Sequence, residues 1–174
     1  KKTLYGVHFT STTTGLVVGE GIILRTTDGG ITWTQPTGEP TARGTLLSVS
    51  FADPDSGLAV GIIRPRIGDP RGLILRTTDG GITWVTRTSG TQVPLNSVSF
   101  ADEKRAVAVG TGFDGGQYWY DIGIILRTTD GGLTWSAPVR VNGEPAVPAF
   151  TPQVHVRADG TVGVSYFDLR PDTT

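Results

Sequence analysis

The sequence predicts an all-β chain of repeated four-stranded antiparallel units, the architecture of a β-propeller. Three observations carry the prediction. The phrase RTTDGGITW at 25–33 returns unchanged at 76–84 and as RTTDGGLTW at 127–135. A longer phrase precedes each copy: LYGVHFTSTTTGLVVG (4–19), LLSVSFADPDSGLAVG (46–61) and LNSVSFADEKRAVAVG (95–110). No segment keeps a helical period for three turns. Asp28, Asp79 and Asp130 stand 51 residues apart, as do Trp33, Trp84 and Trp135. Repeats of this length made of four short strands are the pattern of propeller blades.

Within each unit the first strand alternates. Val7 and Phe9, Val49 and Phe51, and Val98 and Phe100 face one way, with small or polar residues between them. His8 falls at one of those intervening positions, where the other units have Ser50 and Ser99. A polar turn such as ADPDSG leads to the second strand, LVVG, LAVG or VAVG, and the third strand is IILRT or LILRT. DGG then forms a turn, and ITW or LTW opens the fourth strand. The expected blades span about 4–36, 46–88 and 95–140. A fourth unit, about 150–170, supplies only two strands around the turn ADG. Propellers close with roughly four to eight blades. Three and a half leave apolar faces and sheet edges bare. The expectation is therefore a segment of a larger propeller, with further blades coming from a longer chain or from a homo-oligomer.

Composition narrows the classes. The formal net charge is −1 and no basic stripe is present, which argues against nucleic acid. Apolar runs are too short for a membrane-spanning helix. Cysteine is absent, so disulfides and thiolate chemistry are excluded. The chain holds 25 glycines and 11 prolines, as expected for many turns between short strands. It begins without Met, so it is expected to start at a processing or cloning boundary.

Each member of the repeated phrase has a structural task. The pattern is filled by Thr26, Asp28, Gly30, Thr32 and Trp33, then by Thr77, Asp79, Gly81, Thr83 and Trp84, then by Thr128, Asp130, Gly132, Thr134 and Trp135. An Asp in a turn accepts backbone N–H groups just ahead of it. Glycine supplies positive φ. Threonine hydroxyls tie strand ends, and Trp packs its large apolar ring between blades. Ser/Thr-x-Asp-x-Gly-x-Thr-Trp is identified as the Asp-box, or BNR repeat, found in sialidases, sortilin-type receptors, photosystem II assembly-factor propellers and many secreted bacterial propellers. The resemblance covers about residues 4–135 and implies a fold element between third and fourth strands, away from any catalytic face. The full unit most resembles the photosystem assembly-factor type. The stretch PQVHVRADGTVGVSYFDLR (152–170) is similar to strands of sialidase-like propellers.

Function is expected at the opposite end, where the second-to-third turns differ. Gly19 to Arg25 is 6 positions, Gly61 to Arg76 is 15 and Gly110 to Arg127 is 17. The extra residues fall in IIRPRIGDPRG (62–72) and TGFDGGQYWYDIG (111–123). They bring Arg64, Arg66, Asp69 and Arg71 to one loop, and Phe113, Asp114, Tyr118, Trp119, Tyr120 and Asp121 to the other. Arginine with clustered Tyr and Trp is a binding-surface composition. Asp168 and Arg170 are expected at the same end. Arg25, Arg76 and Arg127 recur once per unit and are expected to pair with a carboxylate or a backbone carbonyl.

A catalytic constellation is not legible. None of Glu20, Glu39, Glu103 and Glu144 stands in the two-carboxyl context a glycosidase needs. Tyr166 and Asp168 do not make a site alone. No ligand spacing calls for a metal, and no cofactor motif is present. The reading is a non-catalytic recognition or scaffold propeller, extracytoplasmic or secreted, binding a protein or a glycan through the inserted loops. A fragment of a sialidase-like glycoside hydrolase is the alternative. An assembly factor for a membrane protein complex is a further one.

Overall fold

The computed structural model describes residues 1–36, 44–65, 70–112, 122–141, 149–157 and 159–168. Every regular element in these residues is a strand. The first unit holds β1 (Leu4–Phe9), β2 (Gly15–Gly19) and β3 (Ile22–Thr26). The second holds β4 (Gly44–Phe51), β5 (Gly57–Ile63), β6 (Arg71–Thr77) and β7 (Val85–Arg87). The third holds β8 (Leu95–Phe100), β9 (Ala106–Gly112), β10 (Ile122–Thr128) and β11 (Val139–Arg140). Last come β12 (Ala149–Val156) and β13 (Val162–Asp168). Each unit is its own antiparallel meander, in the orders β1-β2-β3, β4-β5-β6-β7, β8-β9-β10-β11 and β12-β13. The all-β propeller segment expected from the repeats is the fold observed.

The first strand of each of the first three units carries an irregularity at the same place, between Leu4 and Gly6, Leu46 and Ser48, and Leu95 and Ser97. The bulge brings the preceding carbonyl down onto the end of the second strand. An added Cβ on Gly61 would lie 1.9 Å from the Thr45 carbonyl oxygen, and one on Gly110 would lie 2.1 Å from that of Pro94. The glycine that closes LAVG and VAVG is thus fixed by backbone approach.

The fourth strand departs from the sequence reading. Ile31 and Thr32 form a bend and Trp33 is irregular, not strand, and the first unit reaches only a single bridge, Arg25 with Thr34. The cause is local. The Asp28 carboxylate accepts the Thr32 amide at 2.9 Å and its hydroxyl as well, which holds this stretch in the turn. Ladder pairing resumes only after the Trp, as in Arg76 with Val85.

The sheets stack face to face. Leu16, Val18 and Ile23 of the first pack with Leu46, Val49, Phe51, Ala59 and Trp84 of the second. Leu58, Val60 and Ile74 on the other face of the second pack with Leu95, Val98, Phe100 and Leu126 of the third. Val107 and Val109 then meet Val154 and Val156. Six of the seven residues of β5 are buried because both faces of its sheet are covered. The central serines of SVSF stitch neighbouring sheets. Ser48 and Ser50 hydroxyls accept the amides of Val98 (3.3 Å) and Phe100 (3.2 Å). Ser97 and Ser99 accept those of Val154 (3.3 Å) and Val156 (3.0 Å). His8 takes this role at the first junction by stacking on Phe51, with ring centroids 5.6 Å apart.

Candidate functional site

The two ends of the sheets have different characters. At one end lie the three Asp-box turns. Thr26, Thr77 and Thr128 donate their hydroxyls to Asp28, Asp79 and Asp130 at 2.7, 2.8 and 2.8 Å. The same hydroxyls accept the amides of Gly30, Gly81 and Gly132 at 2.9, 3.0 and 2.9 Å. Each Asp also accepts the amide of the threonine four residues on, Thr32, Thr83 or Thr134, at 2.9 Å. The second carboxylate oxygen takes that threonine's hydroxyl. Gly30 and Gly81 have φ of 95° and 82°, a conformation that L side chains rarely adopt.

Hydrogen bonds to the ionised form hold these carboxyls acidic. The Thr134 hydroxyl, followed by its amide, lowers Asp130 to about 2. For Asp28 the Thr32 hydroxyl is the leading cause, and it holds the group well below the carboxylate range. Desolvation opposes the shift at Asp79, yet the bonds from Thr83 and Thr77 outweigh it. A carboxylate so engaged has little left for proton transfer or metal binding. Among the described residues no group of three or more His, Cys, Asp or Glu is placed to hold a metal.

The boxes also fasten one sheet to the next. Within a unit, the Gly29, Gly80 and Gly131 amides donate to the first turn at Thr13, Asp55 and Lys104, at 2.8, 3.0 and 2.8 Å. Across units, Arg25 Nε donates to the Gly80 carbonyl at 3.0 Å and Arg76 Nε to that of Gly131 at 2.8 Å. Arg25 and Arg76 therefore pair with a backbone carbonyl of the following unit, whereas the Arg127 side chain has no such partner among the described residues. The Trp33 and Trp84 indoles donate to Gly30 and Gly81 at 3.0 and 3.1 Å. Trp135 Nε1 is buried with no hydrogen-bond partner among the described residues.

At the opposite end lie the strand ends that flank the insertions. Arg64 is exposed just after β5, and Arg71 is exposed at the start of β6, where it pairs in register with Ile63. Asp168 closes β13 opposite Ala149, at the end corresponding to the last residues of β5 and β9. Strands of this length set the far ends of β5 and β9 about 20 Å from the boxes. Arg66, Asp69, Phe113, Asp114, Tyr118, Trp119, Tyr120, Asp121 and Arg170 lie outside the described residues. The sequence reading missed the serine clasps. Their signal was the strict Ser-x-Ser at the polar positions of an alternating strand, repeated in the second and third units.

The fold and its three boxes define an Asp-box β-propeller. Residues 1–141 match the model of the family described as photosynthesis system II assembly factor YCF48, and the chain belongs to that family. The photosystem II assembly lipoprotein Ycf48 of Synechococcus sp. (strain CC9902) is 31% identical over 104 residues, which are 57% of this chain and 26% of that relative. A solved structure of YCF48 bound to D1 peptide superposes with a TM-score of 0.59 at 24% identity, over 78% of this chain and 39% of that one. A GH74 enzyme from Niastella koreensis shares the fold with a TM-score of 0.57 at 18% identity, over 77% of this chain and 22% of that one. The chain thus spans well under half the length of each of these relatives.

Proposed function

We propose that this chain is a non-catalytic, extracytoplasmic recognition propeller of the assembly-factor type, which binds a polypeptide segment of a membrane protein complex. The observation that carries the reading is the family match over 1–141. The solved relative in complex with a peptide supports a protein partner. The residues assigned to binding are the cations Arg64, Arg66 and Arg71, the aromatics Tyr118, Trp119 and Tyr120, and Asp121, Asp168 and Arg170. Loops on a rigid repeat scaffold vary without disturbing the core, which suits them to recognition. Further blades, from a longer chain or from a homo-oligomer, complete the ring.

The test is affinity capture from the membrane fraction of the source cells, with wild-type protein beside a Tyr118→Ala, Trp119→Ala, Tyr120→Ala variant. Wild type retains a membrane-complex subunit that the folded variant loses. Equal capture by both overturns the assignment to these loops. A glycan-array hit, or cleavage of a fluorogenic sialoside, moves the protein to the carbohydrate class instead. Light scattering addresses the ring separately: a stable, soluble monomer of these 174 residues counts against the need for further blades.

A further inference from the structure

We propose that the joint between the first and second sheets is acid-sensitive: protonation of His8 loosens the first unit from the second, while the later junctions hold. The inference is independent of the loop assignment, because it concerns the contact faces of two sheets within the chain.

The junctions use different residues at one register. In the second unit Ser48 and Ser50 reach across to the amides of Val98 and Phe100, and in the third Ser97 and Ser99 reach to those of Val154 and Val156. The first unit has Gly6 and His8 at these positions. An added Cβ on Gly6 would lie 3.2 Å from the Leu47 carbonyl oxygen, so β1 and β4 close there by backbone approach. Two residues on, His8 lies over Phe51 with the ring planes 28° apart. Its imidazole has no hydrogen-bond partner among the described residues. Phe51 in turn meets Trp84 edge to face, with ring centroids 6.2 Å apart. Three rings therefore run in file from the first sheet to the box of the second unit.

A neutral imidazole suits this place and a charged one does not. β1 packs on β2 and β4, neither of which holds an ionisable side chain. Tyr5, the other ionisable residue of β1, is exposed. The adjoining turn 10–14 is all serine and threonine. The charge that shares this face is Arg25, in register with His8 across Leu16, and it is a cation. The carboxylates beyond the ring file are already engaged. Asp53 accepts the amides of Asp55 and Ser56, and Asp79 accepts Thr77 and Thr83. Lys2 and Glu20 belong to the other end of the strands, where Lys2 Nζ donates to the Gly21 carbonyl and Glu20 bridges Thr45.

An imidazolium at His8 thus places a charge in a half-buried contact with no carboxylate free to meet it. Burial holds the group below its ordinary value of 6.5. Attraction to the Phe51 ring face offsets part of that cost. A base that titrates lower when folded binds its proton better when unfolded. The stability it supports is full above pH 6.5, falls as pH drops below that value and levels off beneath the folded midpoint. The serines of the later junctions do not titrate, so their bonds persist.

The test is a pH titration of the 174-residue chain beside two variants. His8→Ser installs the residue of the other units, and His8→Gln keeps a large neutral side chain. The imidazole NMR signal missing from His8→Ser identifies His8, and its midpoint should lie below 6.5. Between about pH 7.5 and about pH 5.5 the wild-type thermal midpoint should fall by about 1–3 °C more than that of either variant, a small loss because the ring is half exposed and partly screened. The indole N–H signal of Trp84 should move with the His8 midpoint, and that of Trp135 should not. A His8 midpoint at or above 6.5 overturns the proposal, because attraction to the ring then outweighs burial. Equal losses in wild type and variants also overturn it. So does an equal response at Trp84 and Trp135, which would place the change outside the first junction.

Discussion

The first and second units spell RTTDGGITW identically and fold it into the same bonded turn, yet they bury it very differently. Phe9 and Val7 are 44% and 61% exposed, whereas Phe51 and Val49 are 8% and 7%. Trp84 is 5% exposed, while Trp33 is only partly covered. The local hydrogen bonds belong to the sequence of one unit. The burial belongs to the unit before it, because each sheet covers the first strand and the box of its successor. In a repeat array, stability divides into intrinsic and neighbour terms. The contrast between these units separates the two.

The tryptophans give the largest test. Trp84→Ala should cost about 3–5 kcal/mol in chemical denaturation, as for a buried aromatic. Trp33→Ala should cost about 1–2 kcal/mol, because much less area is buried there. Equal losses would break the comparison.

The glycines test it next. Gly30→Ala meets its nearest outside atom at 3.5 Å, so only the cost of its positive φ applies, about 1 kcal/mol. Gly81→Ala carries the same φ cost and also strikes Leu16, for a total of about 2–4 kcal/mol. Thermal unfolding of the two variants side by side would show whether the neighbour adds anything.

The arginines sharpen the point. Arg76→Ala removes a bond to the following box and should lose about 1–2 kcal/mol. Arg127→Ala in the isolated chain should stay within about 0.5 kcal/mol of wild type. A large loss at Arg127 would mean that its role lies within its own unit.

Acid should produce the smallest effect. Asp130 is held at about 2, against an ordinary value of 3.8. A depressed carboxyl stabilises the fold fully above its unfolded value, and that stability is lost as pH falls through the folded one. The part of the unfolding midpoint that the boxes supply should therefore hold above about pH 4 and decline between about 4 and 2. An Asp130 carboxyl that titrates near 4 by NMR would refute the bonded turn.

Much of this was legible in the chain. The 51-residue spacing of the boxes set the blade period, and the alternation of Val and Phe named the residues that pack between sheets. The recurrent arginine was read as a partner for a carboxylate or a carbonyl, and a carbonyl of the next unit is what Arg25 and Arg76 bind, while Arg127 binds none among the described residues. Two features were not legible. The fourth strand was placed too early, because β-branched Ile31 and Thr32 look like strand formers until the Asp28 side chain captures Thr32. The serine clasps were passed over because the amides they accept lie 50 residues away, and only the stacking of sheets brings them together. The role proposed for the loop residues turns on a partner, which a repeat pattern cannot reveal.

Those serine clasps also act as built-in timers. An amide within a ladder, such as one between β5 and β6, is released only when its own sheet comes apart. The amides of Val98, Phe100, Val154 and Val156 are held by a hydroxyl on the adjacent sheet, so a parting of two intact sheets is enough to free them. Native-state hydrogen exchange at these four positions would clock the separation of neighbours, distinct from the unravelling of any one of them.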